Sequence, residues 1–129
     1  MRPSHVEVDL EAIRANVAAI AEAVSPAAVC AVVKADGYGH GDIPAAEMAL
    51  EGGARWLAVA LVEEAIRLRE AGIEAPVLLL SEPTAADAPL VVKWNVVPTV
   101  YRSNFIKALS DAGGDKPLPV HLKVDTGMH

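Results

Sequence analysis

A lysine followed by three alternating glycines is the feature of this sequence best suited to covalent chemistry. Lys34 follows an apolar, β-branched run at 28–33, which predicts a buried strand covered on both faces. An amine at the end of such a strand can attack a carbonyl when burial or a neighbouring cation keeps it neutral. Gly37, Gly39 and Gly41 allow the following loop to turn tightly and to approach a ligand. A solvated strand-end lysine is the simpler alternative.

Two polar side chains project from the same loop. Tyr38 can donate its hydroxyl to a phosphate oxygen, or its ring can pack on a neighbouring helix. His40 can act as an acid, a base or an orienting group, although a lone histidine between glycines more often makes a local hydrogen bond. The glycine spacing matches neither GxxxxGK[ST] nor GxGxxG, so it does not predict a nucleotide site.

A second lysine occupies a similar position near the end of the sequence. Lys123 lies in a strand predicted at 118–124, and Asp125, Thr126 and Gly127 form the turn that follows. Parallel strands deliver the residues at their carboxyl ends to the ligand-binding face of a sheet. An ion pair between Lys123 and Asp125 is the alternative interpretation, but two lysines at the same end of one sheet favour a site.

The elements that position these lysines follow from hydrophobic periodicity. We expect a short leading strand within 1–9, then a helix capped by Asp9 that buries one apolar stripe and ends at Ser25. Asp42 is the expected cap of the next helix, which Gly52 ends. The remaining predictions are strands at 56–61, 77–80, 96–100 and 118–124, and helices at 62–71, 85–92 and 103–112.

Several other side chains are assigned on these elements. The charged residues of the helix at 62–71 are expected to form its solvated face: Glu63, Glu64, Arg67, Arg69 and Glu70. Trp56 and Trp94 are expected in the core or at an interface. Phe105, Ile106 and Leu109 should share one face of the helix at 103–112.

Five strands separated by helices are typical of α/β proteins built from parallel βαβ units. Both a doubly wound sheet and a (β/α)8 TIM-type barrel fit this pattern. A complete barrel takes about 250 residues, whereas this chain has 129. The sequence therefore predicts either a small doubly wound sheet or the N-terminal part of a barrel.

Composition narrows the class of ligand. The net charge is −6, the pI is about 5.1, and no basic run occurs, so we expect a small molecule rather than nucleic acid. Cys30 is the only cysteine, which excludes an internal disulfide and a thiolate metal cluster and is typical of the cytoplasm. The sequence has no signal core, no stretch long enough to cross a membrane, and no HExxH or GxSxG motif, so we expect neither a membrane protein nor a metal site.

Three segments together resemble the alanine racemases, enzymes that use pyridoxal 5'-phosphate and have a fold-type III barrel. They are VEVDLEAIRAN at 6–16, VKADGYGHG at 33–41 and LKVDTGM at 122–128. The resemblance implies that 10–129 form the N-terminal part of a (β/α)8 barrel domain. It also implies the interconversion of L-alanine and D-alanine for peptidoglycan precursors, by a full-length homodimer.

The resemblance also implies roles for individual residues. Lys34 would hold the cofactor covalently and act as one of two bases at the substrate α-carbon, and Tyr38 would contact the cofactor phosphate. Lys123 matches a lysine that is often carbamylated to N6-carboxylysine, and spacing places Leu80 near the cofactor ring. The second base, a tyrosine of the partner subunit, and an arginine expected directly after His129 would complete the site, so the 129 residues would be inactive alone.

Two alternatives to this function remain. The protein could be a racemase of serine or another small amino acid, because residues that shape the substrate pocket would lie outside this chain. It could also be a non-catalytic domain that binds the cofactor.

Overall fold

The chain begins with a capped helix that is only partly covered. The computed structural model describes residues 4–127. The first helix, α1, spans Leu10–Ala23, and the Asp9 side chain accepts a hydrogen bond from the Ala12 N–H at 3.0 Å, which confirms the predicted cap. No residue of α1 is fully buried, so the predicted apolar stripe is half covered at most.

The predicted leading strand is wrong for the part that the structure describes. Residues 4–9 have no regular secondary structure, and Val6 is 87% exposed. Alternation of polar and apolar residues is not sufficient for a strand when no neighbouring strand supplies hydrogen bonds. Residues 1–3 lie outside the described part of the chain.

Five parallel strands follow in alternation with helices. The strands are β1 (Cys30–Val32), β2 (Trp56–Val59), β3 (Val77–Leu79), β4 (Val97–Val100) and β5 (His121–Leu122). The further helices are α2 (Lys34–Gly39), α3 (Asp42–Glu51), α4 (Val62–Glu70), α5 (Ala88–Lys93) after a 3-10 turn at Ala85–Asp87, and α6 (Ser103–Gly113). Every predicted strand after the leading one is present and shorter than predicted: β2 and β3 end earlier, β4 begins one residue later, and β1 and β5 lose residues at both ends.

The order of the strands decides between the two predicted architectures. The sheet runs β1-β2-β3-β4-β5, so each strand lies beside the preceding one. Right-handed crossovers that always step in the same direction place all connecting helices on one side of the sheet, whereas a doubly wound sheet reverses direction. The doubly wound alternative is therefore wrong, and the fold is that of a partial barrel.

A contact across the sheet shows that it is strongly curved. The rings of Trp56 on β2 and His121 on β5 lie 5.7 Å apart, measured between centroids. These strands are three positions apart in the sheet, which corresponds to about 14 Å along a flat surface. The sheet is therefore curled like the wall of a barrel, with Trp56 on its inner face.

The two faces of the sheet have different partners. Outward-facing residues of β2 and β3 are completely buried under the helices, among them Leu57, Val59 and Leu79. On β1, Cys30 is exposed and Val32 is 40% exposed. The prediction that this strand is covered on both faces is wrong, because Cys30 and Val32 lie on the inner face in register with Trp56 and Ala58, and the inner face is open at this outer strand.

Apolar packing between the sheet and the helices holds these elements in place. Phe105 on α6 and Leu68 on α4 are completely buried, and each such side chain contributes about 1.5–3 kcal/mol. Ile106, predicted to share the buried face of Phe105, is 45% exposed instead, while Trp94 packs against the core as expected. No helix within residues 4–127 has the length and apolar character needed to cross a membrane.

Candidate active site

The carboxyl ends of the strands bring the predicted site residues to one rim. Lys34 follows the inner-facing Val32 by two positions, and Lys123 follows the inner-facing His121 by two. Leu80 extends the ladder of β3, because its N–H donates to the Val59 carbonyl at 2.9 Å. Lys34 and Lys123 therefore lie at the same rim, after the two outer strands β1 and β5. The curvature of the sheet turns these two strands toward each other.

The segment after Lys34 forms a left-handed helical turn. Ala35, Asp36, Gly37 and Tyr38 all have positive φ values, between 52° and 60°. A left-handed helix costs about 1–2 kcal/mol for each residue other than glycine. The glycines predicted a tight turn, but they do not explain why three non-glycine residues adopt this conformation.

Local hydrogen bonds support part of this turn. The Gly37 N–H donates to the Val33 carbonyl at 3.0 Å, and the Gly41 N–H donates to the Asp36 carbonyl at 2.9 Å. His40 Nδ1 lies 2.8 Å from the Gly37 carbonyl oxygen, which is the local role expected of a histidine between glycines. Gly37 is buried, and a Cβ atom there would lie 3.3 Å from the Cβ of Ala45.

Lys34 and Tyr38 lie side by side above the rim. Lys34 is half-buried, and its Nζ is 5.9 Å from the centroid of the Tyr38 ring. Tyr38 is 61% exposed, so its ring is not packed against a helix. Among residues 4–127, the Lys34 amine makes no ion pair or hydrogen bond. It is thus available to a ligand that binds at the rim.

Lys123 borders an open cavity of about 340 Å³ at the other end of the rim, together with Tyr101 and Asp125. Its Nζ lies 5.9 Å from the centroid of the Tyr101 ring, and the guanidinium carbon of Arg102 lies 5.4 Å from the same centroid. Asp125 accepts a hydrogen bond from the Gly127 N–H at 3.0 Å, as expected for the predicted turn.

Glu64 is not on a solvated helix face, which corrects the sequence prediction. Its buried carboxylate accepts hydrogen bonds from the N–H groups of Ala35 at 2.7 Å, Ala60 at 2.8 Å and Leu61 at 2.9 Å. Burial raises the pKa of Glu64, but these N–H donors and the charge of Arg67 outweigh it, so the net shift of the pKa is downward.

The two arginines of α4 also have structural partners. Arg67 forms an ion pair with Asp42, and this interaction raises the pKa of the guanidinium. Arg69 donates to backbone carbonyls before β3 and after α5, namely those of Trp94, Ile73, Ala75 and Asn95. Asp42 is not the N-cap that we expected, because Gly41 occupies the cap position and Asp42 is the first helical residue.

Sequence reasoning missed a second buried carboxylate at the rim. The Glu82 side chain accepts from the N–H groups of Tyr101 and Arg102 and from the Arg102 guanidinium. Burial raises the pKa of Glu82, yet these donors lower it more, so the net shift is downward. An acidic residue shortly after a buried apolar strand is the signal that Glu64 and Glu82 share.

The fold is of the (β/α)8-barrel class, and Lys34 and Tyr38 lie at the carboxyl rim, the end at which barrels of this class carry their active sites. Residues 8–129 match the sequence model of a family described as alanine racemase, N-terminal domain. The chain therefore belongs to the alanine racemase family.

Similar proteins agree with this assignment. The chain is 46% identical to the alanine racemase of Geobacillus stearothermophilus over 98% of its length and 33% of that protein. It superposes on the crystal structure of alanine racemase from E. faecalis with a TM-score of 0.90 and 42% identity, covering 35% of that chain. An alanine racemase from Bacillus anthracis with bound L-Ala-P gives a TM-score of 0.87 at 38% identity. The chain spans about a third of the length of the relatives that it matches.

Proposed function

We propose that this chain carries the cofactor-binding part of an alanine racemase, an isomerase that interconverts L-alanine and D-alanine with pyridoxal 5'-phosphate. The observation that carries the proposal is the Lys34 amine, which lies at the barrel rim beside Tyr38 and has no ion-pair partner among the described residues. The names and structures of the similar proteins support it.

The side chains at the rim fit the chemical groups of this cofactor. A primary amine can bond to its aldehyde carbon, the exposed Tyr38 hydroxyl can donate to its phosphate, and the apolar Leu80 can pack near its ring. When bound, the cofactor supplies an electron sink for the carbanion at the substrate α-carbon. Lys34 is then the base that removes or returns the α-proton on one face of the substrate.

Further parts of the proposal concern Lys123 and the assembly. Carbamylation of Lys123 to N6-carboxylysine would replace a cation by an anion, which can orient an arginine contributed from outside this chain. We also propose a homodimer in which the partner subunit supplies the second base. The enzyme would act in the cytoplasm and supply D-alanine for peptidoglycan.

The substitution Lys34→Ala, made in a full-length enzyme that contains this chain, tests this function. We expect the variant to lose racemisation of alanine and to retain no cofactor that borohydride can fix to the protein, because the bonding amine is gone. The matched control is Lys93→Ala, at an exposed lysine of α5. Cofactor that is still fixed by borohydride in the Lys34 variant would refute the role of this residue.

Substrate identity needs a separate measurement. Turnover of alanine and serine is compared in the same preparation of the full-length enzyme. Alanine should be the better substrate by kcat/KM. A higher kcat/KM for serine would instead support a racemase of another small amino acid. Cofactor binding without turnover of any amino acid would support a non-catalytic domain.

A further inference from the structure

Helix α4 presents two charged side chains, one turn apart, to the two ends of the left-handed turn. Glu64 and Arg67 are three positions apart, so they lie on the same side of the helix. Glu64 binds Ala35, the first left-handed residue, and Arg67 binds Asp42, the first residue after the loop. We call Glu64 and Arg67 the α4 clamp.

The contacts of Glu64 exceed what the start of a helix requires. Its Oε2 atom accepts from the N–H groups of Ala60 and Leu61, which precede α4 and need an acceptor there. Its Oε1 atom accepts from Ala35, which is 29 positions away in the sequence. One carboxylate thus joins the residue after Lys34 to the end of β2, the strand paired with β1.

The contact of Arg67 secures the other end of the loop. Arg67 Nε donates to Asp42 Oδ2 at 3.0 Å, and the Asp42 N–H is 3.2 Å from Asp36 Oδ1. Asp36 is itself one of the left-handed residues. Strained backbone persists only where its surroundings determine it from more than one side, and these contacts hold the loop at both ends.

We propose that the α4 clamp consists of positioning residues, which hold 35–38 in the left-handed conformation and thereby fix the direction of the Lys34 amine. The orienting role rests on the proposed function, since it matters only if Lys34 reacts. The conformational role does not, because it can be measured without cofactor.

The substitution Glu64→Gln tests the clamp. It is made in the full-length enzyme, from which the cofactor is removed before measurement. Glutamine keeps the shape but has a single acceptor oxygen, so it cannot serve Ala35 and the end of β2 together. We expect hydrogen exchange in 35–41 to become about tenfold faster, as befits loss of a hydrogen bond to a charged group, while exchange in β3 changes little. Glu63→Gln is the matched control, since Glu63 is exposed and, among residues 4–127, makes no hydrogen bond or ion pair with the loop.

Acetylation of lysines provides a second readout on the same cofactor-free proteins. The rate at Lys34 is divided by the rate at the exposed Lys116, and mass spectrometry measures both. We expect this ratio to change at least about threefold in Glu64→Gln, because only part of the tenfold opening of the loop alters the accessibility of the amine. The ratio should stay constant in Glu63→Gln. A global loss of stability would alter both lysines, whereas loss of positioning alters Lys34 selectively.

If Glu64→Gln does not fold, Arg67→Met is the variant to use, because Arg67 is exposed and its loss removes the contact with Asp42 but none of the hydrogen bonds of Glu64. It should also accelerate exchange in 35–41. Exchange and acetylation that match the Glu63→Gln control would overturn the clamp, in whichever variant is folded. The proposed function fails separately, if wild-type Lys34 cannot be fixed to pyridoxal phosphate by borohydride.

Discussion

Buried carboxylates determine how the rim responds to acid. The pKa values of Glu64 and Glu82 are lowered in the folded protein, where N–H groups and arginines outweigh the effect of burial. A carboxylate with a lowered folded pKa contributes stability above its unfolded pKa of about 4.3. That contribution is lost as the pH falls through the folded pKa, so the rim should loosen in acid.

We expect Glu82→Gln to lower the free energy of unfolding at pH 7 by about 1.5–3 kcal/mol, the range for hydrogen bonds to a charged group. The difference from wild type should shrink as the pH falls below about 4, because the wild-type carboxylate then becomes protonated. Urea denaturation at a series of pH values measures this. A difference that stays constant with pH would contradict the role of the charge.

The exposed phenol of Tyr38 allows a second prediction about a single residue. Tyr38→Phe keeps the ring beside Lys34 but removes the donor proposed for the cofactor phosphate. We expect the Kd for pyridoxal phosphate to rise about tenfold, with an unchanged melting temperature of the cofactor-free protein because Tyr38 is 61% exposed. Fluorescence titration measures the Kd, and an unchanged Kd would remove Tyr38 from the phosphate site.

Two helices of this fold end at glycines that a neighbouring group approaches closely. At the end of α3, a Cβ atom on Gly52 would lie 2.5 Å from the carbonyl oxygen of Arg14 in α1. At the end of α6, a Cβ atom on Gly113 would lie 2.8 Å from the Leu118 Cδ1 atom. The first neighbour is backbone and the second is the end of a flexible side chain, so only the first contact is rigid.

This difference between two helix ends gives a matched pair of substitutions. Gly52→Ala should destabilise the protein by about 1–3 kcal/mol, the usual range for overpacking, because α1 must move away from α3. Gly113→Ala should cost less, since the Leu118 side chain can change rotamer. Thermal denaturation compares the two variants, and an equal or larger loss in Gly113→Ala would contradict this account.

At the scale of the whole molecule, the curled sheet has unequal protection along its strands. β2 and β3 lie in the interior of the strand order and have completely buried outward side chains. β5 has two residues and both are exposed. In the 129-residue polypeptide, hydrogen exchange should therefore be slowest in β2 and β3 and fastest in β5. Equal protection of β5 and β2 from hydrogen exchange would contradict this account, because it would mean that β5 is covered by a further part of the polypeptide.

Much of the fold could be predicted because its signals are local. Asp9 caps α1 through a residue three positions away, and the apolar runs at 56–61 and 77–80 identify strands without reference to the rest of the chain. The leading strand failed for the opposite reason, since a strand exists only when another pairs with it. Of the five charged residues of α4, Glu63, Arg67 and Glu70 are exposed as predicted, whereas Glu64 is buried. Amphipathic periodicity does not reveal which charge meets buried donors.

The sequence by itself determined the alternation of helices and strands, the family, and Lys34 as the candidate reactive residue, since each is encoded in short contiguous segments. The tertiary structure decided that the sheet is curled, that the loop after Lys34 is left-handed, and that Glu64 and Glu82 are buried at the rim. These features depend on contacts such as Glu64 with Ala35 and Glu82 with Tyr101, which join residues 29 and 19 positions apart. Local patterns cannot encode such contacts, because they form only when the strands have been brought together.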